Sequence, residues 1–160
     1  MDAEHGSIRF LRDRLLGFSP EALVTLIVNS INETADTIIQ ANQAQLYISS
    51  MDAFGNKLSL YSSPIYALDK EKQNPLPGFL HPDLFLTGDF YRGFKVTVDA
   101  NGLYSVYSID IKADKLTAQY GCAIFGLTKE NMQKYAIETF FPVFEDGFIG
   151  ATGLIFQQAA

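Results

Sequence analysis

Cys122 is the only thiol in the 160-residue chain, so it is the strongest nucleophile available. To attack a carbonyl it would have to be a thiolate held by a histidine or another cation. The chain offers two histidines, His5 and His81. His81 is the better partner of the two, but it lies in a proline-rich stretch with no positional logic tying it to the cysteine. Cys122 follows Gly121 and precedes Ala123-Ile124-Phe125, an apolar run that predicts a small buried thiol. One cysteine excludes an internal disulfide framework and a cysteine-cluster zinc site, and two distant histidines argue against histidine-rich metal chemistry. Carboxylate pairs remain: Glu145 beside Asp146, and Asp110 with Asp114. Such pairs can share protons or a metal ion, yet near helix ends they are ordinary surface charge. There is no phosphate cradle with its following lysine, Gly88 and Gly93 form no Gly-x-Gly-x-x-Gly turn, and no Gly-x-Ser-x-Gly elbow occurs. The sequence therefore predicts a protein that is not an enzyme and carries no cofactor and no metal. The catalytic alternative is a small hydrolase working through Asp or Glu. That alternative requires a concave pocket with two converging carboxylates of raised pKa.

The charge balance narrows the partners. Eighteen acids against twelve bases leave a net charge of -6, the opposite of a free-standing nucleic-acid binder. With 48% hydrophobic and 19% charged residues the chain can build a packed core. The deficit reverses locally, where Arg9, Arg12 and Arg14 stand against Asp13 alone. In the same stretch Ile8, Leu11 and Leu15 recur at helical spacing, so Ser7 to Leu16 reads as a short basic helix capped by Ser7 and ended by Gly17. It is either a solvated face or a docking element for an acidic partner. Thirteen Phe and eight Tyr are more ring area than a small core needs, and rings are favoured at interfaces. No apolar run approaches the roughly 20 residues that span a bilayer, and the N-terminus reads as no secretory signal.

The elements that would position these residues follow from periodicity. Ser19-Pro20-Glu21 is a strong helix start, and the stripe Val24, Ile27, Ile31, Ala35, Ile38 predicts one long helix from Pro20 to about Ser49. Its distal half, Glu33 to Gln45, is rich in Thr, Asn and Gln, so it either packs outside its own domain or lies solvated. Phe54-Gly55-Asn56 is a turn, and Lys57 to Tyr61 alternates like a strand. Residues 64–82 carry four of the six prolines around the charged knot Asp69, Lys70, Glu71, Lys72. That density predicts no regular helix, but a functional loop or an arm on a neighbour. Phe94 to Asp99 and Tyr104 to Ile109 alternate about Asn101-Gly102, a hairpin signal. A two-residue turn would set Val98 against Ser105, Val96 against Tyr107 and Phe94 against Ile109. Ala113 to Tyr120 reads as a helix stopped by Gly121, and its Asp114 and Lys115 side as a solvated face. Thr128 caps a further helix, with a break expected near Phe141 because Pro142 sits inside the pattern. The end of the chain, from Gly147, is apolar yet glycine-rich. It is either a final strand or an arm buried by another subunit, and the arm is the preferred reading.

One stretch is more specific. Residues 83–93 read DLFLTGDFYRG, a Leu-x-Thr-Gly-x-aromatic box placed directly before the hairpin. Then come a helix ending in Tyr120-Gly121 and a helix carrying Phe141-Pro142. This order resembles the head–tail connector and tail-completion proteins of tailed bacteriophages, over roughly Leu84 to Gly147. In that group a Thr-Gly box opens a strand, a later tyrosine or glutamate with glycine follows, and a proline-containing helix ends the unit. The matching positions here are Thr87 and Gly88, Tyr120 and Gly121, and Phe141 and Pro142. The chain departs from the pattern in placing Asp89 before its basic residue, Arg92, and in having Gln119-Tyr120-Gly121-Cys122 where the group has Glu-Phe-Gly-Thr.

The expectation is a single α+β domain over residues 1–160, with helices packed on a small antiparallel sheet. A core of about 18–146 carries the basic helix 7–16, a proline-rich loop 64–86 and an arm 147–160. The resemblance implies a structural subunit of a six-fold or twelve-fold ring in a phage neck or tail, joining portal to tail within the virion after assembly in the host cytoplasm. Copies of itself and the portal or adjacent neck and tail proteins would be its partners. DNA would pass through without sequence-specific binding, and no membrane is involved. An acidic wall would keep the duplex mobile, where a basic one would trap it. Expected contacts are Arg9, Arg12 and Arg14, then Leu76, Phe79 and Leu86 of the loop, then Phe148, Ile149, Leu154, Ile155 and Phe156 of the tail. A bacterial protein-binding module of a tail-like delivery system is the other non-catalytic alternative.

Overall fold

A computed structural model describes residues 15–153. The chain is α+β: helices pack on a single antiparallel pair of strands. Ser19 caps α1 (Pro20–Glu33), its hydroxyl accepting from the Ala22 N–H at 3.2 Å, with proline at the first helical position. The expected single helix from Pro20 to Ser49 is in fact two. Thr34 leaves helical geometry at φ -101 and ψ 8, and α2 begins afresh at Ala35 and runs to Ser49 (Ala35–Ser49). The physical reason is the threonine hydroxyl. It donates back to the Ser30 carbonyl at 2.7 Å and meets the Tyr135 hydroxyl at 2.7 Å. Such back-bonding bends helices.

The polar half of this segment does neither of the things its composition predicts. It runs through the centre of the molecule, with Ile38, Asn42 and Leu46 fully buried. Asn42 donates to the Ile124 carbonyl at 3.1 Å and accepts from the Gly126 N–H at 2.9 Å. Gln45 takes the N–H of Thr128 at 2.8 Å and the Asn131 amide at 2.9 Å, and donates to the carbonyls of Met51 and Asp52. The amides of α2 therefore satisfy the backbone of an irregular segment that lies against the helix, as buried polar groups require.

The proline-rich stretch also folds otherwise than expected. Pro64 opens a helix, α3 (Pro64–Gln73), because it stands at the first helical position, where its missing N–H costs nothing. Ser63 caps it by accepting from the Tyr66 N–H at 3.3 Å. The other prolines of the stretch follow the helix. The strand expected at 57–61 is only one isolated bridge, Met51 with Lys57.

A four-residue helix, α4 (Asp89–Arg92), leads into β1 (Phe94–Val98), which pairs with β2 (Tyr104–Ser108). The register is one residue off the expected one: Val98 faces Tyr104, Val96 faces Val106 and Phe94 faces Ser108. The loop holds three residues rather than two. Asp99 and Leu103 close it at 2.8 Å, and only Gly102 takes positive φ, at +83. Asp99 decides this, its carboxylate accepting the N–H groups of Asn101 at 2.8 Å and Leu103 at 2.9 Å. Because side chains alternate, the slip turns Tyr107 to solvent and Val106 inward.

Helix α5 (Ala113–Tyr120) ends at Gly121, as expected, with φ +88. A short 3-10 turn, Cys122–Ile124, follows, and here Cys122 is exposed, not buried. Ile124 fills the core position of that turn instead. Thr128 caps α6 (Lys129–Tyr135). The break expected near Phe141 takes the form of a π-helical turn, Ala136–Phe140, and α7 (Phe141–Thr152) begins with Pro142 near its start. The end of the chain up to Thr152 is thus helix rather than strand or arm. Gly147 lets it close on α1: an added Cβ would lie 2.5 Å from Leu26 Cδ1.

The core has two parts joined through Val106. One gathers Leu46, Leu58, Phe90, Tyr91, Phe94, Ala113 and Ile124; the other Ile31, Ile38, Leu127 and Tyr135. Much of the ring surplus is spent inside. Phe94 meets Phe90, Phe125 and Tyr91 at centroid distances of 5.1, 5.4 and 5.8 Å. Phe140, at the end of the π-helical turn, and Phe144 and Phe148 of α7 stack in series at 5.7 and 6.2 Å. Gly93 marks a second approach as close as that at Gly147. A Cβ there would sit 2.5 Å from Ser108 Oγ and 2.9 Å from the Asp110 backbone nitrogen. Gly93→Ala is expected to destabilise the fold by about 1–3 kcal/mol through overpacking, read as a lower urea midpoint at unchanged slope.

Candidate functional site

The Leu-x-Thr-Gly box lies on an extended segment laid across α3, and that crossing builds a buried polar cluster. Lys70 and Asn74 are one turn apart at the C-terminal end of α3, so they share a face. Both point inward at Asp83. Lys70 Nζ lies 2.9 Å from one carboxylate oxygen, and Asn74 Nδ2 lies 3.1 Å from the other. Lys70 is 5% exposed and Asp83 1%. The Phe85 N–H also donates to Asp83 at 3.1 Å, Lys70 donates to the Phe85 carbonyl, and the Tyr91 hydroxyl donates to the Asp83 carbonyl. A buried ion pair of this kind holds only with further hydrogen bonds, and here Asp83 has the Asn74 amide and the Phe85 N–H while Lys70 has the Phe85 carbonyl. Leu80 and Leu84 flank it with left-handed backbones, φ 69 and 52. Burial pushes the Tyr91 and Tyr61 phenols well above the ordinary range, and the nearby Asp83 charge pushes them further.

On the outer side of this cluster a groove of about 450 Å³ opens between the 84–90 segment and α5. Tyr61, Tyr66, Phe85, Leu86 and Tyr120 supply its apolar walls, and Lys112, just before α5, and Lys115 within it line the other side. Tyr61 and Tyr66 meet edge to face at 5.0 Å. The Thr-Gly pair is a cap and turn here. Gly88 takes φ +82 and opens α4, so the box begins a helix where the resemblance implies a strand. Asp89 receives the Thr87 hydroxyl and pairs with Arg92, and these two partners hold its carboxyl below the usual range. Asp99 and Glu21 are likewise held low, chiefly by backbone N–H groups. All three shifts run opposite to what a general acid needs. Among the described residues no group of three or more His, Cys, Asp or Glu side chains gathers in metal-binding range, and no helix is long and apolar enough to cross a membrane.

The expected contact residues scatter. Arg9, Arg12, Arg14, Leu154, Ile155 and Phe156 lie outside the described residues. Leu76, Phe79 and Leu86 are all exposed, and of these Leu86 lines the groove. Phe148 and Ile149 are not on an arm. They sit half-buried in α7, with the Phe148 ring 5.2 Å from Phe18. The sequence reading assigns Lys70, Asn74 and Asp83 no role: Lys70 stands only in the charged knot and Asp83 only at the start of the box. A signal was present, since Lys70 and Asn74 are spaced by four. It becomes visible only once α3 is read as a helix. No protein-family model, curated protein or solved structure matches the chain.

Proposed function

We propose that the protein is a structural subunit of a homo-oligomeric ring, in the neck or tail of a phage particle, that surrounds passing DNA without reading its sequence. The observation that carries this reading is apolar surface left uncovered. Leu60, Ile65, Leu68, Leu76, Phe79 and Leu86 are all exposed within residues 60–86. Ile109 and Ile111 are exposed after the hairpin, Ile137 on the π-helical turn and Phe141 at the start of α7. Single exposed apolar side chains are normal, but runs of them are what subunit interfaces are made from. A ring supplies identical neighbours to cover them. The neck or tail setting comes from the order of box, hairpin, Tyr120-Gly121 and Phe141-Pro142. The test is mass. Light scattering on the purified chain, with electron microscopy of the same sample, is expected to find closed rings. A 17.8 kDa monomer from micromolar to submillimolar concentration overturns the proposal.

A further inference from the structure

Two exposed surfaces of the chain differ in charge. The first is the groove, walled by Tyr61, Tyr66, Leu86 and Tyr120 and carrying Lys112 and Lys115. Neither lysine has an ion-pair partner among the described residues, whereas the groove's one carboxylate, Asp89, is engaged by Arg92 and Thr87. Asp114 lies exposed between the two lysines on α5. The second surface is a ridge along the π-helical turn and α7. Ile137 is 68% exposed and Phe141 55%. Glu138, Glu145 and Asp146 stand exposed around them, without ion-pair partners among the described residues. Lys134, one turn earlier, is the ridge's only base.

We propose that the ridge of one copy seats in the groove of the next, with Ile137 and Phe141 entering between the tyrosines and the ridge carboxylates facing Lys112 and Lys115. This inference rests on the ring reading and names its interface. The occupant is a second copy because the charges complement one another: an aromatic concavity carrying Lys112 and Lys115, and an apolar helix face carrying Glu138, Glu145 and Asp146, none of the five in an ion pair among the described residues. Tyrosines suit the role, since each gives a rigid apolar body and a hydroxyl that can pair at the rim. Groove and ridge back onto different parts of the core, the groove on the Phe90 cluster and the ridge on the Tyr135 cluster. A contact between unlike surfaces is heterologous, so it repeats head to tail and can close into a ring.

The experiment uses two complementary full-length chains. One carries Lys112→Glu with Lys115→Glu and has a dead groove. The other carries Ile137→Glu with Phe141→Ser and has a dead ridge. All four positions are exposed, and circular dichroism with thermal melting checks that each chain keeps its fold. Each chain alone is expected to be a monomer. Their equimolar mixture is expected to give a dimer of twice 17.8 kDa and nothing larger, because one live groove meets one live ridge and the chain of contacts then ends. A third chain, with the groove reversal plus Glu138→Lys and Glu145→Lys, is expected to regain rings. Wild-type rings that survive in either dead chain, or a mixture that stays monomeric, overturn the interface and leave the ring reading standing. A monomeric wild type overturns both.

Discussion

Lys70→Met is expected to cost about 3–5 kcal/mol of folding stability, because removing one member of a buried ion pair strands the other charge in a low-dielectric interior. Methionine replaces the length of the lysine stem with little change of volume, so the loss reports the missing ammonium rather than a hole. Asp83 would keep the Asn74 amide and the Phe85 N–H, but it would lose the one counter-charge it has among the described residues, 2.9 Å away. The Phe85 carbonyl would lose its donor as well. Urea unfolding followed by circular dichroism checks this. A loss under about 1 kcal/mol, the value for an exposed pair, would mean that water reaches Asp83. The damage should not be confined to stability. Residues 83–88 lie between the ion pair and the groove, so loosening them lets Leu86 and the groove wall drift. The assembly tests above should therefore be made well below the unfolding midpoint of any variant in this region.

Asn42→Leu is the second large effect. Leucine fits the space, yet it leaves the Ile124 carbonyl and the Gly126 N–H without partners in the centre of the molecule. Each unsatisfied buried group costs about 1–3 kcal/mol, so the pair costs about 1–5 after the gain of roughly 1 from added apolar surface is set against it. Asn42→Ala would confuse the result by adding a cavity. Hydrogen exchange offers a second readout. The Gly126 amide, which donates to Asn42 Oδ1, is expected to lose its protection in the variant beyond the fall in global stability. If it does not, the fold has found another acceptor and the assigned role of Asn42 is wrong.

The general plan was legible in the sequence wherever a local signal acts alone. Ser19-Pro20, Gly121 and Thr128 mark helix ends by chemistry confined to one turn, and all three ends lie where that chemistry puts them. The hairpin was legible, but its register was not. Asp99 claims two backbone N–H groups and thereby lengthens the loop by a residue, a competition that the Asn-Gly pair by itself does not reveal. Thr34 broke a continuous apolar stripe through hydrogen bonds to Ser30 and to Tyr135, a residue far along the chain. The amides of α2 read as packing outside their own domain or lying solvated because most of their partners, at 122–131, are remote in sequence. The site failed for a related reason. Prolines at 64, 75, 77 and 82 suggested a broken stretch, whereas Pro64 starts a helix and the rest follow it, so the inward face of α3 went unread. Buried polar clusters are tertiary objects, and their members carry no common local mark.

The π-helical turn at Ala136–Phe140 sets the phase of everything after it. A turn that closes on the fifth residue instead of the fourth carries one residue more than an α-helical turn, and that residue rotates the downstream helix by about 100°. The rotation aims Gly147 at Leu26 and Phe148 at Phe18. A wheel diagram drawn with uniform spacing from Lys129 to Thr152 therefore labels the wrong side of α7 as inward. One inserted amino acid before Pro142 decides which flank of the final helix meets the rest of the chain and which is left outside.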